Sequence, residues 1–155
     1  MHIQQIEKIQ IASEQLEDAL SAYFAGRFHS ALVLASAAEQ LFAGYVMKHG
    51  ETPAWKRSRS IVTKIANTLR REEGDKPTYE GDIGDLLNRA YNSSKHAGKN
   101  DHTVFMDPKF EASVAIERAI ENYDALERLG ISGLPDMPFA QRFLDEESIS
   151  EEKST

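Results

Sequence analysis

The chain has 155 residues, with 18 Lys plus Arg against 25 Asp plus Glu and a formal net charge of −7. That balance argues against a protein that coats nucleic acid by bulk charge, although a local basic patch stays compatible with it. Cysteine is absent, which excludes disulfides, thiolate zinc sites, iron–sulfur clusters and a cysteine nucleophile.

Hydrophobic residues make up 41%, enough for the core of one domain of this length. The N-terminal MHIQQIEKIQ alternates apolar and polar residues and is not read as a secretory signal. No stretch is read as reaching the ~18 apolar residues that a membrane span needs. The expectation is a cytoplasmic protein with no membrane contact. Glycine and proline then punctuate the chain, and between them apolar residues recur at three and four, the helical spacing.

A first helix is predicted from about Gln4 to Ala25, with Ile9, Ala12, Leu16, Ala19 and Tyr23 in one stripe, widened by Leu20 and Phe24. A second runs from about Phe28 to His49 and stops at Gly50. It is rich in Ala and nearly apolar all round, which marks it as the central helix. A third is predicted from about Pro53 to Arg71, with Ile61, Val62, Ile65 and Leu69 facing inward. A fourth spans Asp82 to Ala97, stops at Gly98 and has Leu86, Ala90 and Tyr91 on its inner face. Asp107-Pro108 reads as N-cap and first helical residue of a fifth helix ending near Leu129 before Gly130, with Ala112, Ala115, Ile116, Ala119, Ile120, Tyr123 and Leu126 as its core stripe. The expected fold is all-α, an antiparallel bundle of about five helices over residues 1–130. Residues 131–155 form a Pro-containing extension with a short apolar patch, then an acidic tail, DEESISEEKST, expected to be disordered.

One segment is poorly explained by packing alone. At ~100° per residue, Asp85, Arg89, Asn92 and His96 fall in one file on the fourth helix, roughly 160° from the centre of its apolar side. The file places an arginine, an amide and an imidazole together, facing away from the chain's own core. An ordinary solvated helix face accounts for the same pattern. Lys95 lies beside the file and is a candidate RNA contact. The stretch from Trp55 to Lys76 holds seven Lys or Arg against three Asp or Glu, so Trp55, Lys56, Arg57 and Arg59 are candidate RNA contacts, the Trp by stacking on a base. A solvated helix face explains this stretch too. His96, Asp101 and His102 lack a supporting metal-ligand spacing, and Glu39 reads as a buried ion-pair partner rather than a catalyst. No cofactor and no metal are called for.

The spacing from Arg89 to His96 resembles the Arg-x(4–6)-His signature of the HEPN superfamily, compact helical bundles of prokaryotic defence systems, toxin–antitoxin pairs and RNA processing. The second helix, FHSALVLASAAEQLFAGYV, is similar to that family's Ala-rich helix with a Glu near its middle, and the likeness covers roughly residues 5–129. It implies metal-independent RNA cleavage at a homodimer interface built from the Asp82–Ala97 helix of each copy. In that reading Arg89 holds phosphate, His96 moves the proton and Asn92 orients either, and an antitoxin or regulator protein is an implied partner. Family members usually carry a polar residue directly after the Arg, where this chain has Ala90. In the shorter form of the motif, Arg-Asn-x-x-x-His, the Arg position falls at Tyr91. Either Arg89 is the motif Arg, or Tyr91 has replaced it and Asn92 and His96 serve binding or packing. The contrasting expectation is a non-catalytic helical adaptor that dimerises through the same file and binds a nucleotide or a protein partner.

Overall fold

The computed structural model describes residues 3–96 and 103–152, with side chains through Glu146. The described residues are helical and hold no strand. The helices are α1 (Lys8–Phe24), α2 (Phe28–Lys48), α3 (Ala54–Glu73), α4 (Glu80–Leu87), α5 (Arg89–Lys95), α6 (Pro108–Arg128) and α7 (Pro138–Glu152).

The core is the packing of α2 against α1 and α6. Alanines dominate these seams: Ala12, Ala19, Ala31, Ala35, Ala38, Ala112 and Ala119 are fully buried. Side chains this small let helix axes approach closely, and the larger Leu16, Leu20, Phe42, Ile116 and Leu126 fill the space between them. The predicted stripes of α1 and α6 are the buried ones. Asp107 caps α6 as its position suggests, accepting from the backbone N–H groups of Lys109 (3.0 Å) and Phe110 (3.1 Å). Gly130 closes the same helix with φ +69°, which a side chain would strain, while the Ile131 N–H donates to the Leu126 carbonyl at 3.1 Å.

The C-terminal extension carries a helix that continues into the first part of the acidic tail expected to be disordered. Residues 138–152 are helical, and Met137, Ala140 and Phe143 belong to the same core as α1 and α2. Phe143 is 1% exposed and meets Tyr23 edge-on at 5.2 Å. The acidic composition of the tail argues for disorder, but the three apolar residues ahead of it anchor the helix.

The predicted inner face of α3 is incorrect. Ile61, Ile65 and Leu69 are each more than half exposed, and Ala54 is the helix's one buried residue. Polar bonds hold α3 in place of an apolar seam. Arg57 pairs with Glu121 of α6, Arg59 with Glu80 of α4, and Asn67 with the backbone of Thr78. These partners turn the opposite side of the helix toward the rest of the molecule.

The single helix expected over Asp82–Ala97 is two helices with a turn at Asn88. The Asn88 side chain donates to the Gly84 carbonyl at 3.0 Å, competing with the backbone ladder next to a glycine of low helix propensity. The turn re-aims α4, so Ile83 is buried and Leu86, expected inside, is 60% exposed. Ala90 is buried and Tyr91 packs against the core, as predicted, where α5 meets α2. Residues 97–102, which include the expected helix end at Ala97 and stop at Gly98, lie outside the described residues.

Contrary to the expectation from the sequence, α2 is, averaged over 18 residues, long and apolar enough to cross a membrane by length and composition. Half of that window is buried within the bundle.

Candidate functional site

Arg89 opens α5 and lies exposed, with Asn92 one turn on and His96 just past the helix end, both also exposed. The expected alignment of the three along one rigid helix ends at Lys95: His96 has extended backbone, φ −127° and ψ 121°. Asp85 sits on α4, before the turn, and makes no ion pair with Arg89. Among the described residues Arg89 has neither an ion-pair nor a hydrogen-bond partner. Its guanidinium borders a cavity of about 410 Å³ lined also by Leu86, Ser93, Val104, Phe105 and Glu111. Lys95 points its ammonium over the Tyr91 ring at 4.0 Å.

A guanidinium, a hydroxyl and one carboxylate, set beside Leu86, Val104 and Phe105 in a concavity of mixed polar and apolar lining, can hold a single anionic group next to an apolar or aromatic one. A second anion at the same place would meet Glu111. This charge count separates the site from the larger cavity, about 720 Å³, between α1 and residues 133–136. That cavity is lined by Glu14, Glu17, Asp18 and Asp136, a set that repels phosphate. Burial and the neighbouring Asp18 push the Glu17 carboxyl above its ordinary range.

The basic stretch is largely occupied within the chain. Arg57 is bonded to Glu121 and to the Thr52 carbonyl, and Arg59 to Glu80 at 3.1 Å. Trp55 is half-buried, with Lys56 and Arg59 lying over its ring at 5.5 and 4.9 Å. The four residues lie together in the first turns of α3, as a cluster bound to α4 and α6. They do not meet the Arg89 cavity, whose lining includes none of them.

A buried polar junction between α2, α3 and α6 escapes sequence reasoning except at Glu39. Glu39 and Arg118, 4% and 7% exposed, approach to 3.5 Å between Oε2 and Nη2. Burial raises the Glu39 carboxyl above its usual range, with Arg118 acting in the opposite sense. Asn122, one turn beyond Arg118, accepts from the buried Ala54 N–H at 2.8 Å and donates to the Glu39 carbonyl at 3.4 Å. Pro53 offers no side-chain cap, so Asn122 supplies from another helix what the α3 N-terminus lacks. A polar pair spaced i, i+4 inside the α6 stripe is the available signal, since Arg118 and Asn122 sit among its alanines.

No three His, Asp or Glu side chains gather as a metal-ligand set among the described residues. Asp101 and His102, weighed with His96 as ligands, lie outside them. Compared with protein-family models, curated proteins and solved structures, the chain matches none.

Proposed function

We propose that this chain is an HEPN-like, RNA-directed protein that works as a homodimer and cleaves RNA without a metal, in a toxin or defence role held in check by a regulator protein. The reading rests on the Arg89-to-His96 spacing, and one observation carries it further: among the described residues Arg89 stands unpaired, at a cavity that suits one anionic group. In this reading Arg89 grips a phosphate through its two-pronged donor face and stabilises charge building on it. His96 of one copy takes the proton from a ribose 2′-hydroxyl. The 2′-oxygen then attacks the adjacent phosphorus as the bond to the 5′-oxygen breaks, and His96 of the second copy protonates that leaving oxygen. The products are a 2′,3′-cyclic phosphate and a free 5′-hydroxyl. Asn92 orients the imidazole or a phosphate oxygen. Cytoplasmic RNA is the corresponding substrate class.

The test is cleavage of RNA by purified wild type and by the double variant Arg89→Ala/His96→Ala, in buffer containing a chelator. Loss of turnover in the variant is expected, and equal turnover would remove the assignment.

A second reading is favoured by the turn at Asn88 and by Ala90. His96 stands in extended backbone beyond α5, and the residue following Arg89 is committed to the core. These features suit a non-catalytic adaptor that dimerises through the same face and binds a nucleotide or protein. Sedimentation gives a dimer in both readings, while only the first gives cyclic-phosphate ends.

A further inference from the structure

Phe105 is 97% exposed, the most exposed of the large apolar side chains among the described residues. Its position is nevertheless fixed from one side. Met106 packs against the core, and Asp107 is bonded into the first turn of α6. Other aromatic rings near cations are covered: Trp55 by Lys56 and Arg59, Tyr91 by Lys95, and Phe24 by Arg142 at 4.0 Å. Phe105 has no such cover among the described residues, and it lines the same cavity as the unpaired Arg89.

An open aromatic face beside a free guanidinium is the pairing that single-stranded nucleic acid engages, a base on the ring and a phosphate on the cation. We infer that Phe105 is a base-stacking residue and that the cavity receives one nucleotide of single-stranded RNA, with its base on Phe105 and its phosphate on Arg89. This inference rests on the RNA-directed reading above and adds the strandedness of the substrate and a positioning residue. Leu86 and Val104 extend the apolar wall on which a base would lie, and Ser93 offers a hydroxyl donor to the phosphate. Glu111 opposes a second anion, so a single phosphodiester suits the site better than a polyphosphate. A duplex keeps its base faces stacked inside the helix and cannot present one to Phe105.

The experiment is fluorescence anisotropy of the full chain with a labelled single-stranded RNA and its duplex, on wild type, Phe105→Ala, Phe105→Trp and Arg89→Ala. Sedimentation is run at the same protein concentrations. Phe105→Ala is expected to weaken single-strand binding by about 5- to 150-fold, the range of one base–aromatic stack, and Phe105→Trp to stay within about threefold of wild type. Wild type is expected to prefer the single strand. If Phe105→Ala binds as tightly as wild type while Arg89→Ala does not, the stacking inference fails and the RNA-directed reading stands. If wild type binds no RNA, the reading itself fails and takes the inference with it. A Phe105→Ala protein that turns from dimer to monomer with RNA affinity unchanged would assign Phe105 to a protein contact and overturn the inference.

Discussion

Breaking the Glu39–Arg118 pair is expected to destabilise the fold far more than replacing both residues together. Each side chain is almost wholly buried, and each keeps one polar atom, Glu39 Oε1 and Arg118 Nε, without a protein partner. Arg118→Met leaves the Glu39 carboxylate in the core with no counter-charge, and Glu39→Met does the same to the guanidinium. Breaking a buried pair from one side costs about 3–5 kcal/mol. In a domain of this size that lowers the melting temperature by roughly 6–20 °C. The double variant Glu39→Met/Arg118→Met strands no charge and fills similar volume, so it is expected within about 1–2 kcal/mol of wild type on either side. Acidity provides a second readout. Burial holds the folded Glu39 carboxyl above the ordinary value, so its proton is bound more tightly folded than unfolded. The stability linked to that proton is present in full below about pH 4.5 and is lost as pH rises through the higher folded value. The Arg118→Met protein should therefore sit closer to wild type at pH 5 than at pH 8. Thermal unfolding followed by circular dichroism at both pH values reads all four proteins. A double variant as unstable as the sum of the singles would mean that the pair does not interact, and the electrostatic reading of this junction would fall.

Further outcomes follow from individual contacts. Asp107→Ala removes the cap of α6 and is expected to cost about 1 kcal/mol, or 2–4 °C in melting temperature. Asn122→Ala leaves the buried Ala54 N–H unbonded and should cost on the order of 1–3 kcal/mol, with faster hydrogen exchange in the first turn of α3 as its specific mark. Phe143→Ala should cost about 3–5 kcal/mol by opening a cavity against Tyr23. Truncation after Leu144 keeps Met137, Ala140 and Phe143 in place, and its melting temperature should stay within about 3 °C of the full chain.

The legibility of each element in the sequence tracks how strongly burial selects its residue types. The stripes of α1, α2 and α6 recur at three and four over about four turns or more, and the three form most of the core. Asp107-Pro108 and Gly130 mark both ends of α6 because capping chemistry is local. α3 misleads because Ile61, Ile65 and Leu69 carry the same period as a core stripe, while polar bonds to α4 and α6 decide which side turns inward. Such bonds depend on partners 21 and 64 residues away, as in Arg59–Glu80 and Arg57–Glu121, and periodicity carries no trace of them. The turn at Asn88 is a contest between a side-chain amide and a backbone donor for one carbonyl, too close to decide from composition. At the candidate site, the exposure of Arg89, Asn92 and His96 is legible because α5 needs only Ala90 and Tyr91 to anchor it. That of Phe105 is not, since nothing in a sequence tells an exposed phenylalanine from a buried one.

The attachment of α3 divides the molecule into two tiers of cooperativity. One tier is the dry seam of α1, α2, α6 and α7, where opening any helix exposes apolar surface on its neighbours. The other is the hairpin of α3 and α4, closed on itself by the Arg59–Glu80 pair and the Asn67–Thr78 bonds and fastened to α6 through the buried cap at Ala54 and the Arg57–Glu121 pair, polar bonds that water can replace. Sub-global opening therefore has a preferred seam, at the Asn122–Ala54 junction, and a preferred order, with the hairpin leaving a bundle that stays closed behind it. High salt weakens the Arg57 and Arg59 pairs while favouring apolar contact, so it loosens this hairpin and tightens the bundle at the same time.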